Sequence, residues 1–388
     1  MLKVRLASPL PYNVPMKFVF ASDSFKGTLA SARTGVLLET AAREVFPESE
    51  CVAFPIADGG EGTLDAIAGM RQGTRLSFPA HDGLMRPIEG QVLLCDGMAF
   101  VEAASTCGLS LLDSTERNPL RTTSYGVGEC IRFALDTGCA GITVGLGGSC
   151  TNDGGVGCLR ALGVTFLDSE GRELFGAGGD LASIACIDTS GLHPRVRDVP
   201  FTIMGDVNNP LLGPNGATYV FGPQKGADAQ ALERLEKGMG HFAEAISSMY
   251  PDVDFATEGF GAAGGLGMAL SVFLGARMRS GIEELLTWLR FDSAIEDADL
   301  VVTGEGKLDS QSLQGKVISG IVAHARRAGV PVAVICGRVE LAEEELHGIG
   351  VTHVLEAGRG QALDYAMAHA EENYLKAARE LFTLVKGS

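Results

Sequence analysis

The chain has no run of apolar residues long enough to span a membrane, although hydrophobic residues make up 46% of its 388 residues. Its nine cysteines include no CxxC pair, and its seven histidines show no HxH or HExxH spacing, which disfavours a zinc site. We therefore expect reduced core thiols in a cytoplasmic protein without a membrane partner. Basic residues are in short supply: 31 against 48 acidic ones give a net charge of −17, which argues against a nucleic-acid partner.

The motifs of several common enzyme classes are also missing. No GxxxxGK[ST] pattern occurs, which excludes a P-loop NTPase. The run that begins Gly145-Leu146-Gly147 has Cys150 where a dinucleotide fingerprint needs its third glycine, so a nicotinamide oxidoreductase is disfavoured. No GxSxG nucleophile elbow is present.

Glycine is abundant, with 52 residues gathered in short motifs rather than in one tract. This distribution predicts many tight turns at which the backbone approaches a ligand. Five acidic, glycine-rich turns each follow an apolar strand, around Asp23, Asp58, Asp153, Asp206 and Glu305. One such turn means little, because Asp and Gly are ordinary turn residues. Five of them favour convergence of at least three on one cleft between domains.

The first of these turns organises the N-terminal part of the chain. Residues 18–21 predict a short buried strand, and 29–46 predict a helix from their apolar spacing. Between them lie Asp23, Lys26 and the backbone N–H groups of a helix start, a combination suited to phosphate with Mg²⁺ nearby. An ordinary strand-to-helix loop with capping Ser and Thr is the alternative.

The length favours two domains, and the rhythm of strands and helices suggests where they divide. Two strand–turn–helix units come first, hairpin signals at Asp82-Gly83 and Asp96-Gly97 follow, and the strand–helix rhythm returns near Ala298. We predict a discontinuous α/β domain over 16–72 and 298–388, interrupted by an inserted domain over 73–297. We further predict that residues 1–15 are an N-terminal extension, in which case Met16 could be the true start. A linear two-domain split is the alternative.

The middle of the chain carries two further binding motifs. The Gly147–Gly155 run offers hydroxyls, an amide and an acid that could hold triphosphate oxygens or a small hydroxy acid, or it could be only a glycine-rich connection. Lys225 could contact phosphate or a substrate carboxylate, or it could be a solvated loop residue. Glu102 is either a site acid or a solvated strand end. The 261–267 run favours tight packing over contact with a nucleotide.

Five motifs together resemble the bacterial two-domain glycerate kinases, in order from about Met16 to the C-terminus. They are Ser24-Phe25-Lys26-Gly27, Pro55-Ile56-Ala57-Asp58-Gly59-Gly60-Glu61-Gly62-Thr63, Gly147-Gly148-Ser149-Cys150-Thr151-Asn152-Asp153-Gly154-Gly155, Phe221-Gly222-Pro223-Gln224-Lys225-Gly226-Ala227 and Thr303-Gly304-Glu305-Gly306. Cys150 stands where we expect Ala. The resemblance implies ATP-dependent phosphorylation of D-glycerate, usually to 2-phosphoglycerate. It also implies a flavodoxin-like doubly wound parallel sheet domain, interrupted by a second, inserted α/β domain with a mixed sheet.

Phosphoryl transfer requires mainly positioning and charge neutralisation, which suggests a role for each motif. We predict that Lys26 holds the transferring phosphate and that Asp58 deprotonates the glycerate hydroxyl, with Asp153 as the competing base. The predicted Mg²⁺ ligands are Asp23, Asp206 and Glu305. The predicted contacts to substrate or phosphate are Ser24, Gly27, Gly59, Gly60, Glu61, Gly147, Gly148, Ser149, Thr151, Asn152 and Lys225.

Two other functions stay open from the sequence. The protein could phosphorylate the C3 hydroxyl, or another small hydroxy acid such as tartronate or hydroxypyruvate. It could instead be a non-catalytic small-anion binding protein that uses the same donors. The oligomeric state is not determined by the sequence, and a homodimer is possible.

Overall fold

A computed structural model describes residues 15–25, 27–57, 60, 62–313, 316–341, 345, 348 and 350–387. Within these ranges no helix is both long and apolar enough to cross a membrane. The chain divides into two compact units. The first comprises Met1–Asp58, Asp65–Met70 and Ile282–Ser388, and the second comprises Gly59–Leu64 and Arg71–Gly281. The predicted domain boundaries stay predictions.

The strands and helices are numbered in chain order. The strands are β1 (Lys17–Ser22), β2 (Glu50–Ala53), β3 (Thr74–His81), β4 (Pro87–Cys95), β5 (Met98–Glu102), β6 (Gly141–Gly145), β7 (Thr165–Leu167), β8 (Cys186–Asp188), β9 (Phe201–Met204), β10 (Arg277–Arg279), β11 (Leu300–Gly304), β12 (Lys307–Leu308), β13 (Val332–Cys336), β14 (Arg338–Val339) and β15 (His353–Glu356). The α-helices are α1 (Ser31–Val45), α2 (Thr63–Met70), α3 (Ala104–Cys107), α4 (Tyr125–Asp136), α5 (Val156–Ala161), α6 (Ala217–Phe221), α7 (Ala229–Met249), α8 (Leu266–Leu274), α9 (Gly281–Trp288), α10 (Phe291–Ile295), α11 (Val317–Ala328), α12 (Leu363–Ala368) and α13 (Ala370–Lys386).

The first unit contains a five-stranded, all-parallel sheet with the spatial order β15-β13-β11-β1-β2. Counted within the unit and read from the β2 edge, this is the flavodoxin-like order 2-1-3-4-5. The direction of winding reverses between β1 and β11. Ser22 pairs with Gly304 at the carboxyl ends of these two strands, so the turns that follow them leave the sheet side by side. In open α/β sheets this switch point is where ligands bind.

The central strands of this sheet are apolar on both faces, so both faces of the sheet must be shielded from water. The β1 residues from Phe18 to Ser22 are all buried, as expected for a parallel strand between two helical layers. Phe18 and Phe20 pack with Leu38 of α1 and with Phe382 of α13 in one core cluster. The apolar face of β1 therefore fixes where its carboxyl end, and the turn after it, are placed.

The second unit contains a six-stranded mixed sheet with the order β10-β9-β6-β5-β4-β3. Strands β3, β4 and β5 form an antiparallel meander, and β5, β6, β9 and β10 are parallel. Asp96 and Gly97 both have positive φ, at 51° and 78°, as the tight hairpin signal predicts. One parallel sheet and one mixed sheet confirm the predicted fold class.

The apolar spacing near the C-terminus predicts one helix over 362–384, but the structure interrupts it. The structure has α12 and α13 there, separated at His369, whose φ is −115° and ψ is 26°. No residue of α12 is buried, and Leu363, Tyr365 and Met367 are exposed. Without a packed apolar face, nothing holds α12 in line with α13.

Candidate active site

Two acidic residues lie side by side at the switch point of the first unit. Asp23 directly follows β1, and its backbone N–H donates to the carbonyl of Gly304 at 2.8 Å. The Asp23 carboxylate accepts from the backbone N–H of Ser24 at 2.6 Å. Glu305 follows β11, and its Oε1 is buried with no hydrogen-bond partner among the residues that the structure describes.

The surroundings of Glu305 disfavour its negative charge. Burial raises the pKa of this carboxyl group, and the charge of Asp23 raises it further, whereas a hydrogen bond from Ser312 and the charge of Lys316 lower it. A buried carboxylate oxygen without a donor is costly unless a cation meets it. Mg²⁺ prefers carboxylate oxygens and needs only one or two of them, so this pair fits the Mg²⁺ that the turn residues predict.

The turn between β1 and α1 is anchored at both ends. Phe25 exchanges backbone hydrogen bonds with Leu29 at 2.8 and 3.1 Å, and its ring packs edge-on against Tyr374 with centroids 5.2 Å apart. Gly27 has a φ of +78°, a backbone conformation that other residues rarely adopt. Lys26, the predicted phosphate clamp, lies outside the described residues.

The second acidic turn is partly described. Asp58, Gly59 and Glu61 lie outside the described residues, while Gly60 accepts from the backbone N–H of Thr63 at 3.3 Å. Glu102 anchors this turn: its carboxylate accepts from the N–H of Gly62 at 2.9 Å and of Leu64 at 3.3 Å.

Glu102 therefore caps the N-terminus of α2, where a carboxylate also interacts favourably with the helix dipole. Only 6% of the Glu102 surface is exposed, so the solvated strand end considered from the sequence is wrong.

Asp153 lies at the centre of the Gly147–Gly155 loop and is fully buried. Its Oδ2 accepts from the N–H and the hydroxyl of Ser124, both at 2.7 Å, and from the N–H of Gly157 at 3.2 Å. Its Oδ1 accepts from the N–H of Gly155 at 3.1 Å. Burial raises the pKa of Asp153, and these donors oppose that rise. Both oxygens hold the starts of α4 and α5, so the geometry favours an anchoring role over that of competing base.

The glycine run over 261–267 packs against the same loop. Gly154 donates to the carbonyl of Gly264 at 2.9 Å. A Cβ on Gly264, whose φ is +69°, would lie 2.2 Å from the carbonyl oxygen of Thr151. The close approach of two backbones requires glycine here, and it accounts for the run by packing.

Lys225 is also buried against this loop, with 2% of its surface exposed. Its ammonium donates to Ser149 Oγ at 3.1 Å and to the carbonyl oxygen of Thr151 at 2.6 Å. Burial lowers the pKa of Lys225 to about 8. The alternative of a solvated loop lysine is therefore wrong.

Two of the loop residues carry buried polar atoms that lack partners in the described part of the chain. Asn152 is fully buried and donates to the hydroxyl of Thr218 at 3.2 Å. Thr151 Oγ1 and Asn152 Oδ1 are buried without a hydrogen-bond partner in the part of the chain that the structure describes. Gly147 and Gly148 follow β6, and Gly148 accepts from the N–H of Leu109 at 2.8 Å.

Asp206, the third predicted metal ligand, is engaged at the start of α9. Its Oδ1 accepts from the Ser280 hydroxyl at 2.9 Å and from the N–H of Gly281 at 2.8 Å. This is the geometry of a helix cap. In the described ranges, no three Asp, Glu, His or Cys side chains form a group that could hold a metal ion.

The structure thus brings together Asp23 with Glu305 in the first unit, and Ser149 and Thr151 with Lys225 in the second, while Asn152 bonds to Thr218. Convergence of at least three of the five acidic turns on one cleft stays a prediction. Sequence reasoning missed Ser312 and Lys316 beside Glu305, and Ser124 beside Asp153. Their signal was weak, because Ser312 and Lys316 lie beyond the turn and Ser124 is 29 residues from its partner.

Known proteins similar to this chain include glycerate kinases. The chain matches the glycerate kinase family over residues 18–386. A glycerate 2-kinase of Escherichia coli K12 is 40% identical over 375 residues, covering 94% of this chain and 97% of that protein. A glycerate kinase of Bacillus subtilis 168 is 40% identical over 378 residues, covering 96% and 98%. A crystal structure assigned to glycerate kinase 2 of Salmonella typhimurium LT2 superposes with a TM-score of 0.83 at 37% identity, covering 96% and 99%.

The fold and these matches define an enzyme that transfers a phosphoryl group to an alcohol. The chain belongs to the glycerate kinase family. The family resemblance and the enzyme class predicted from the sequence are confirmed.

Proposed function

We propose that this enzyme phosphorylates D-glycerate at its C2 hydroxyl, giving 2-phosphoglycerate, with ATP as the donor and Mg²⁺ as the metal. The observation that carries the proposal is the pair Asp23 and Glu305 at the switch point of a flavodoxin-like sheet, where one buried oxygen of Glu305 has no donor among the residues that the structure describes. The name of the E. coli relative, a glycerate 2-kinase, supports the C2 position.

The proposed division of labour follows the chemistry of each group. Glu305 and Asp23 would hold Mg²⁺, which when bound neutralises charge on the phosphates. Asp206 stays a third candidate ligand, although one of its oxygens already caps α9. Lys26 is proposed to hold the transferring phosphate.

Asp58 is proposed to orient the glycerate hydroxyl and to accept its proton. Backbone N–H groups and a hydroxyl would bind the phosphates and the substrate carboxylate. The residues proposed to supply them are Ser24, Gly27, Gly59, Gly60, Glu61, Gly147 and Gly148.

The direct test is to identify the product by phosphorus NMR after incubation with D-glycerate, ATP and Mg²⁺. We expect a phosphorus signal split by the single proton on C2, and no such signal when ATP is omitted. Splitting by two protons would instead assign the phosphate to C3. Binding of glycerate without any ADP release would support the anion-binding alternative. Measuring ADP release with tartronate and with hydroxypyruvate shows whether the enzyme prefers another hydroxy acid to D-glycerate.

Replacement of Lys26 by Met is expected to lower kcat/KM by at least about a hundredfold with the fold retained. A charge that stabilises the transferring phosphate contributes several kcal/mol, and each ~1.36 kcal/mol is tenfold in rate. The measurement is steady-state ADP release, with the circular dichroism melt as the check on folding. Lys376→Met, at an exposed position of α13, is the matched control. Near-normal turnover of Lys26→Met would remove Lys26 from the proposed role.

A further inference from the structure

The ammonium of Lys225 is a buried positive charge without a matching negative one. No carboxylate in the described part of the chain lies within ion-pair distance of its Nζ, and its two contacts are the neutral oxygens of Ser149 and Thr151. An ammonium has three donors, so two neutral acceptors leave one N–H available. An uncompensated buried cation costs several kcal/mol of folding free energy. Such a site fits an anionic ligand that supplies the missing charge.

The neighbouring loop adds polar groups that also lack partners. Thr151 and Asn152 are fully buried, and Thr151 Oγ1 and Asn152 Oδ1 have no hydrogen-bond partner among the described residues. Buried polar atoms are almost always hydrogen-bonded in folded proteins. Two such atoms on the loop that contacts the ammonium indicate that it is built to receive a small polar molecule.

Two sets of contacts hold the Gly147–Gly155 loop in a fixed position. Asp153 ties it to the starts of α4 and α5, and Gly264 packs against its backbone. A rigid set of donors around one cation is what positions a small ligand, because little freedom is lost when the ligand binds.

We propose that Lys225 binds the carboxylate of the hydroxy-acid substrate and thereby determines that this enzyme selects an acid rather than a neutral polyol. This inference rests on the proposed function, of which it specifies one contact. The charge supports a carboxylate over a nucleotide, because one ammonium matches one negative charge whereas a triphosphate carries several and needs metal and further donors. The 2% exposure of Lys225 also suits a small ligand better than a nucleotide.

The protonation of Lys225 gives the contact a pH dependence. The groups that act electrostatically on Lys225 are the thiols of Cys150 and Cys107 and the carboxylate of Asp153. Burial raises the pKa of Cys150 to about 12 and that of Cys107 well above its usual range, so both thiols are neutral near pH 8. Burial lowers the pKa of Lys225 to about 8, so the charge that binds the carboxylate is lost as the pH rises through that value. The KM for D-glycerate of the unaltered enzyme should rise above that pH.

The experiment compares Lys225→Met, Lys225→Arg and the control Lys237→Met, which removes an exposed lysine of α7. For each we measure KM for D-glycerate and for ATP, the dissociation constant of D-glycerate by calorimetry, and the ratio of kcat/KM for D-glycerate to that for glycerol. Glycerol keeps the hydroxyls and lacks the carboxylate.

We expect Lys225→Met to weaken glycerate binding about a hundredfold or more, with KM for ATP within about threefold, because truncating one partner of a buried charge pair has an effect of this size. The preference for glycerate over glycerol should fall by a similar factor. Lys225→Arg, which keeps the charge, should recover part of the binding and remove the rise of KM above pH 8. Lys237→Met should behave as the unaltered enzyme.

Two results would overturn the inference. The first is a loss of ATP binding in place of glycerate binding, which would assign Lys225 to phosphate, and the second is an unchanged glycerate dissociation constant. If Lys225→Met fails to fold, the same two criteria apply to Lys225→Gln, which keeps an N–H donor for Ser149 and Thr151 and removes the charge. If the unaltered enzyme forms no phosphoglycerate at all, the proposed function itself fails, which is a different result.

Discussion

Glu305→Gln is expected to reduce kcat/KM by at least about a hundredfold while leaving the fold intact. The amide keeps the size of the side chain but removes the negative charge that would meet the metal. A metal contact that stabilises transition-state charge contributes several kcal/mol, and each ~1.36 kcal/mol is a factor of ten. Because Oε1 has no hydrogen-bond partner among the described residues, the substitution breaks no contact there that folding needs.

The pH profile provides a second signature of Glu305. Burial and the charge of Asp23 raise the pKa of this carboxyl group. A protonated carboxyl group no longer meets a cation, so activity should fall as the pH decreases through this raised pKa. The acid limb of kcat/KM in the unaltered enzyme should therefore lie above the usual range of a glutamate. Glu305→Gln should lack that limb and should need a higher Mg²⁺ concentration for half-maximal rate.

The matched control is Glu380→Gln, which removes an exposed carboxylate from α13 in the same unit. It should retain normal kcat/KM, Mg²⁺ dependence and pH profile. If Glu305→Gln kept the normal rate and the normal Mg²⁺ requirement, Glu305 would not be a metal ligand, and the switch-point pair would lose its proposed role.

Asp153→Ala is expected to lower the melting temperature by roughly 10 °C. The substitution leaves the buried N–H groups of Ser124, Gly155 and Gly157 and the Ser124 hydroxyl without their acceptor. Each unsatisfied buried donor costs about 1–3 kcal/mol, and breaking a buried charged network costs about 3–5 kcal/mol. One kcal/mol shifts the melting temperature by about 2–4 °C in a domain of about 150–250 residues. Thermal unfolding followed by circular dichroism measures the shift.

Two variants separate an anchoring Asp153 from a catalytic one. Asp252→Ala, which removes an exposed carboxylate of the same unit, should leave the melting temperature within about 1 °C. Asp153→Asn keeps one acceptor oxygen and the size of the side chain, so it should lose less stability than Asp153→Ala and retain measurable turnover. If Asp153→Asn melted normally but had no turnover, Asp153 would be restored as the general base.

Helices, strands and turns could be predicted where the sequence pattern that specifies them lies between close neighbours. The span of α11 from Val317 to Ala328 and that of β13 from Val332 to Cys336 follow directly from apolar spacing between turn residues. The same holds for the Asp96-Gly97 hairpin, because both residues tolerate positive φ. The end of α12 could not be predicted, since a helix without a buried face has no packing to define it.

Charged side chains were harder to interpret, because the partner of each is distant in sequence. Glu102 caps a helix that begins about 40 residues earlier, and Lys225 meets a serine 76 residues away. No pattern near either residue distinguishes these contacts from a solvated side chain. Burial and partner are set by which segments the core brings together, so they are properties of the folded chain.

By itself, the sequence determined the succession of apolar strands, each followed by an acidic, glycine-bearing turn, and through it the family and the enzyme class. The tertiary structure alone decided which polar residues are held by hydrogen bonds, as Asp153 is, and which are buried without an opposite charge within ion-pair distance among the described residues, as Lys225 is. The physical reason is the sequence distance over which each effect acts. Apolar periodicity and turn chemistry depend on close neighbours in the chain, whereas side-chain hydrogen bonds and pKa shifts depend on residues that only folding brings together.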